Sequence, residues 1–176
     1  VRIGNSVTLI GRGAFFSCFS LTTVTIGNSV TSIGSNAFDS CSSLTTITIG
    51  NSVTSIGGYA FYGCTSLTTI IIGNSVTSIG TDAFAYCSSL TNFYFYGTKE
   101  PSYEGNVFDS CPSLKTIYVP TTYTDDDETK FCGTSFTIKK ELQLSDWFMR
   151  GENELIINNE NVLNEYSNGN QPWEEY

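Results

Sequence analysis

One stretch constrains this chain more than any other: residues 26–48, IGNSVTSIGSNAFDSCSSLTTIT. The following 23 residues, 49–71, read IGNSVTSIGGYAFYGCTSLTTII and match it at 17 positions. The same text runs from 3 to 25 and from 72 to 94, and a drifted copy, one residue longer, occupies 95–118. Self-similarity at a fixed period of about 20–50 residues marks a solenoid. One such unit is too small to bury its own apolar side, so stacked neighbours must supply a continuous core.

Within one copy the pattern dictates the local structure. In Leu44-Thr45-Thr46-Ile47-Thr48-Ile49, Ile47 and Ile49 alternate with Thr46 and Thr48, which reads as a half-buried strand. The same register predicts strands at 21–26, 44–49, 67–72, 90–95 and 114–119, in a parallel sheet with coils ~4.8 Å apart. Gly50-Asn51-Ser52 turns the chain, Val53 and Ile56 point inward, and Gly57-Gly58 makes a second corner. Ala60-Phe61, Cys64 and Leu67 follow at spacings of three, which suits a short helical turn on the opposite side. The expected class is therefore an α/β repeat, with one parallel strand per 23-residue coil and short helical turns.

The unit I-G-N-S-V-T-S-I-G-x-x-A-F-x-x-C-x-S-L-T-x-I resembles the leucine-rich repeats of the BspA-like (Treponema pallidum) type. Those occur in surface proteins of oral and gut bacteria and of parasitic protists. The resemblance covers residues 1–120. The fifth copy, FYFYGTKEPSYEGNVFDSCPSLKTIYVP, resembles the closing repeat of such arrays, and Tyr123 with Phe131-Cys132-Gly133 looks like the segment that follows in some protist members. The resemblance implies a leucine-rich-repeat solenoid engaged in adhesion and partner binding, at the cell surface or secreted.

The layout read from the chain has three parts. Residues 1–120 form the solenoid of about five repeats, and 121–140 form a C-terminal cap in which Phe131, Phe136 and Ile138 cover the last coil. Residues 141–176 are an acidic, Asn-rich tail with helical character over 141–150 and 158–166, packed on the solenoid or docked on a partner. Val1-Arg2-Ile3 aligns with Val24-Thr25-Ile26, so further repeats or a cap are expected before Val1.

Charge follows the same division. The net charge of −9 splits into −1 over residues 1–120 and −8 over 121–176. No basic face is available for phosphates, so nucleic acid is not an expected partner. No apolar run approaches the ~20 residues that span a membrane.

Cys18, Cys41, Cys64 and Cys87 are spaced by 23, and Cys111 follows after 24. Such a column reads either as a disulfide framework or as free thiols packed as small apolar residues. Stacked positions are close, but their Cβ vectors run parallel rather than toward each other, which favours free thiols. A linear array offers no tetrahedral set for a metal. Cys132 lies outside the column and is also read as a packing thiol.

Nothing points to catalysis. The chain has no histidine, and its Ser and Thr recur in every coil, which marks them as structural. Asp125-Asp126-Asp127-Glu128 could offer oxygen ligands to Ca²⁺, yet it lacks the alternating spacing and Gly of a calcium loop and reads as a solvated loop. No enzyme activity and no cofactor are expected.

Function is sought where copies differ, because identical positions are explained by packing. The outward positions of the strand run Thr23, Thr46, Thr69, Asn92, Thr116, then Thr25, Thr48, Ile71, Tyr94, Tyr118, with Gly27, Gly50, Gly73, Tyr96, Pro120 just beyond. A Thr face becomes an aromatic one. Large rigid Tyr side chains favour binding sites, so Ile71, Asn92, Tyr94, Tyr96 and Tyr118 are the candidate contacts for a protein or glycan partner on the sheet face. The competing reading of this patch is that the tail folds back over it through Trp147 or Phe148. The competing reading of the whole is an intracellular scaffold repeat built into a larger cytoplasmic or cytoskeletal assembly, which free thiols and the absence of an N-x-S/T sequon would suit.

Overall fold

The computed structural model describes residues 1–125, 127 and 129–142, together with the backbone of two strands at 147–150 and 154–157. Each coil runs through a strand, a corner, a second short strand and a row of turns. The first set of strands is β2 (Thr23–Thr25), β4 (Thr46–Ile49), β6 (Thr69–Ile72), β8 (Asn92–Phe95), β10 (Thr116–Pro120) and β13 (Thr137–Leu142). They form one parallel sheet in that order, in the register the sequence predicts: Ile47 lies beside Ile70, and Ile70 beside Phe93.

Two expectations change. The coil carries two strands rather than one. The Ser-Ile pairs at β3 (Ser32–Ile33), β5 (Ser55–Ile56) and β7 (Ser78–Ile79) join β1 (Leu9–Ile10) and β9 (Ser102–Tyr103) in a second parallel sheet. The expected helical turns are absent among the described residues. The segment after the glycine corner is a series of turns in which alternate N–H groups serve different partners. In one coil Ala37, Asp39 and Cys41 donate back three residues, to Gly34, Asn36 and Phe38. Asn36, Phe38 and Ser40 donate instead to Gly58, Ala60 and Tyr62 of the next coil, at 2.7–3.0 Å. An α-helix would need all of these donors for itself. Left-handed residues complete the interruption. The column Gly13, Asn36, Tyr59, Asp82, Gly105 and the column Ser17, Ser40, Gly63, Tyr86, Ser110 all have φ between 53° and 65°. Apolar spacing of three fits these turns as well as a helix, which is why the sequence reads ambiguously there.

Columns of like residues hold the stack. Phe15, Phe38, Phe61, Phe84 and Phe108 lie face to face, with ring centroids 5.0, 5.2, 5.4 and 5.7 Å apart. Offset stacking of this kind adds about 0.5–1.5 kcal/mol per pair beyond area burial. Thr side chains bond the carbonyl one coil back: Thr54 Oγ1 to Thr31 O at 3.2 Å, Thr68 Oγ1 to Thr45 O at 3.1 Å. These Thr side chains are thus structural.

The cysteines are free, and Cys41, Cys64, Cys87, Cys111 and Cys132 are buried. They do more than fill space. Cys41, Cys64, Cys87 and Cys111 each donate Sγ–H to the carbonyl of the preceding coil's Phe, at 3.0–3.2 Å. Burial pushes the Cys41 thiol up to about 11 and raises Cys64 further. Cys18, expected to be buried, is exposed, because no turn of this chain stacks on its outer side. With no reductant present, an aromatic disulfide reagent is expected to titrate one thiol rapidly in the native protein, Cys18, and all 6 in denaturant. A denatured count of four or fewer would mean that a bridge exists.

A hairpin packs on the coil of β10. Strands β11 (Lys130–Phe131) and β12 (Thr134–Ser135) pair antiparallel across Cys132-Gly133, both with positive φ, as a tight two-residue turn requires. The Cys132 N–H donates to the Glu100 carboxylate. Burial raises the pKa of Glu100, with Asp125 and Asp127 adding to the rise. Phe131 is fully buried against Phe93, Phe95 and Phe108, while Phe136 packs edge-on to Phe108. Strand β13 then adds a sixth strand to the first sheet through Thr116–Thr137 and Ile117–Ile138, crossing the expected boundary at 140/141. Residues 147–150, where helical character is expected, form β14 (Trp147–Arg150), antiparallel to β15 (Glu154–Ile157). The expected helix at 158–166 lies outside the described residues.

Candidate functional site

The pleat sends Thr48, Ile71, Tyr94 and Tyr118 to one face of the first sheet, in direct register on β4, β6, β8 and β10. Alternation along each strand makes this the face away from the Ile47–Ile70–Phe93–Ile117 core. The rings of Tyr94 and Tyr118 stack at 4.9 Å and 24°. Lys139, paired with Tyr118 in the register of β13, places Nζ 5.5 Å from the centre of that ring, and its ammonium lies 3.7 Å from Glu141. A cation over a tyrosine face is attracted by the ring quadrupole.

The structure brings the expected residues together, but not as a bare surface. Ile71, Tyr94 and Tyr96 are 1%, 6% and 0% exposed, and with Leu142 they form a second apolar cluster, separate from the main core. Tyr118 packs at its edge and stays half-buried, as does Asn92. Leu142 is the described contributor from the C-terminal segment. The side chains of Trp147 and Phe148, the expected cover, lie outside the described residues. Leu142 and Lys139 were not foreseen. Their signal is the alternation in Thr137-Ile138-Lys139-Lys140, too short to read as a strand without its neighbour β10.

No described group of His, Cys, Asp or Glu could hold a metal. In the acidic run, the Asp127 carboxylate accepts from the Thr129 hydroxyl at 2.5 Å and from its N–H at 3.0 Å, and pairs with Lys130 at 3.0 Å. These partners, Thr129 foremost, pull its pKa down to about 2. Asp125 accepts from the buried Tyr123 hydroxyl at 2.9 Å. Both described acids therefore serve the loop that leads into the hairpin, while Asp126 and Glu128 lie outside the described residues.

Six stacked units with these columns are what one family model recognises: a BspA type leucine rich repeat region, in 6 copies, matches residues 3–138. The chain belongs to the BspA-type leucine-rich repeat family. The count of six, rather than five, agrees with β13 as the sixth strand of the main sheet. Solved leucine-rich repeat structures are similar to this chain. The Treponema pallidum leucine-rich repeat protein TpLRR is 32% identical with a TM-score of 0.60, over 65% of this chain and 53% of its own. A leucine-rich repeat protein from Bacteroides ovatus is 34% identical with a TM-score of 0.59, over 68% and 31%. A leucine rich cell surface protein from Faecalibacterium prausnitzii is 26% identical with a TM-score of 0.53, over 82% and 48%. The chain thus spans about half of the first and third relatives and about a third of the second. No curated protein matches it.

Proposed function

We propose that this BspA-type solenoid is a non-catalytic protein-binding and adhesion module of a cell-surface or secreted protein, which contacts a protein or glycan partner through its strand face. The observation that carries the reading is a contrast between columns. The core and hydrogen-bonding columns repeat from coil to coil, while the face column departs from Thr25 and Thr48 to Ile71, Tyr94 and Tyr118. Asn92 and Tyr118 are half-buried and are the accessible contacts, with Tyr118 packed against the cluster of Ile71, Tyr94 and Tyr96. The description of one relative as a cell surface protein supports the location. An intracellular scaffold is the second reading, favoured by the 6 free thiols. A secretory signal at the start of the parent protein would decide against it.

The immobilised full chain is expected to bind, saturably, at least one member of a panel of purified extracellular proteins and glycans. Replacing Asn92 and Tyr118 with Thr restores the residues that the first coils carry there. This variant should bind about tenfold more weakly or less, with an unchanged far-ultraviolet spectrum. Undiminished binding would remove the strand face as the site, and a panel without a binder would count against adhesion.

A further inference from the structure

A second surface breaks the repeat, on the side formed by the turns. Tyr59, Tyr62 and Tyr86 occupy adjacent coils there, with ring centroids 5.6 Å apart for Tyr59–Tyr62 and 5.1 Å for Tyr62–Tyr86. Tyr59 and Tyr86 are 39% and 47% exposed. Both sit in left-handed backbone conformation, with φ of 59°. The matching positions of other coils carry Gly, Asn or Asp in one case and Ser or Gly in the other. Gly, Asn and Asp tolerate this conformation far better than a bulky ring. Every coil takes this backbone at these two positions, so a tyrosine there carries strain that a glycine would not. Strain retained at exposed positions points to a function.

Charge supplies the chemistry of the partner. Between Arg12 and Lys99 the chain has no Lys or Arg, and its only charged residues there are Asp39 and Asp82. Both flank this cluster. Asp39 occupies the position of Tyr62 one coil earlier, and Asp82 the position of Tyr59 one coil later. Asp39 is only 8% exposed and its two carboxylate oxygens accept from Asn36 Nδ2 and Ser40 Oγ, each at 2.8 Å, so it contributes field rather than a contact, and the half-buried Asp82 is the carboxylate open to a partner. The Tyr62 phenol is pushed above its ordinary value by desolvation, and by Tyr86, Asp39, Asp82 and Tyr59 around it. Asp109 lies beyond, its carbonyl accepting from the Tyr86 N–H at 2.8 Å. Tyrosine faces and carboxylates both attract cations, and an arginine satisfies the two together by stacking on a ring and bonding a carboxylate.

We infer that Tyr59, Tyr62 and Tyr86, with the half-buried Asp82 at their edge, form a docking surface for arginine-bearing peptide segments of a partner protein. It is distinct from the strand face and does not depend on it.

The test titrates the full chain with hexa-arginine, and with a neutral hexasaccharide, by calorimetry. Hexa-arginine should bind saturably, and the saccharide should not. Tyr59→Asn with Tyr86→Ser introduces residues that neighbouring coils already carry, so this variant keeps the fold; it should weaken hexa-arginine binding at least tenfold without changing net charge. Tyr62→Phe should retain binding within about twofold, since the ring faces act rather than the hydroxyl. Asp82→Asn should weaken binding about threefold or more and reduce its salt dependence. Equal binding by Tyr59→Asn/Tyr86→Ser and the unaltered chain would overturn the inference, by showing only general attraction to an acidic protein. Saccharide binding lost in that same variant would overturn it in favour of a glycan site.

Discussion

Gly57→Ala is expected to destabilise the protein by about 3 kcal/mol, near the upper end of overpacking costs. A Cβ at Gly57 would lie 2.5 Å from the Ser35 nitrogen and 2.7 Å from the Gly34 carbonyl carbon of the preceding coil. These are backbone atoms in a hydrogen-bonded stack, so no side chain can swing aside. The two coils must separate locally, which would weaken the Gly57 N–H bond to Ile33 O, now 2.8 Å. At roughly 2–4 °C per kcal/mol for a chain of this size, the melting temperature should fall by about 6–12 °C. Gly50→Ala is the matched control. Nothing lies within 4 Å of a Cβ there, so its melting temperature should barely move. Equal effects at both glycines would mean that close approach between coils is not what the Gly57 column provides.

Phe131→Ala should cost about 3–5 kcal/mol, the range for deleting a buried aromatic side chain. Its ring meets Phe93 at 5.7 Å and Phe95 at 5.1 Å, and lies 6.2 Å from Phe108. The change would open the last coil, because no other described aromatic side chain touches all three of those rings. Beyond lower stability in urea, greater binding of a hydrophobic dye and concentration-dependent association are expected, as for a repeat array deprived of its cap. A stable, monomeric Phe131→Ala protein would show that the hairpin is an accessory rather than the closure of the stack.

Much of this was legible in the sequence. The strand register followed from alternation in residues 44–49, and the free state of the thiols from parallel Cβ vectors. The cysteines' role as donors to Phe carbonyls was not legible, since it depends on a partner 26 or 27 residues away. The helical turns were misread because Ala60, Phe61, Cys64 and Leu67 specify which side chains point inward, but not where their N–H groups go. Asn36, Ser40 and Gly63 carried the missing signal, as residues able to take positive φ at two recurring positions. The face column Ile71, Tyr94, Tyr118 was visible as a break in the repeat, whereas its burial was not, because the strand containing Leu142 is recognisable only once β10 pairs with it. The tyrosines of the turn side were overlooked for a related reason. With a helix assumed there, an aromatic residue looked ordinary, and only the left-handed backbone of Tyr59 and Tyr86 marks it as a departure.

On the proposed function, repeated positions hold the stack and the exposed departing positions serve recognition. The melting temperature of one variant, with Tyr59→Asn, Tyr86→Ser and Asn92→Thr together, tests that division without needing a ligand. Each change installs the residue of a neighbouring coil. Asn at position 59 tolerates the left-handed backbone better than Tyr, which offsets part of the two lost ring contacts, about 0.5–1.5 kcal/mol each. The melting temperature should therefore fall by no more than about 4 °C. A fall of about 8 °C or more would contradict the division, because it would show that these side chains hold the fold together.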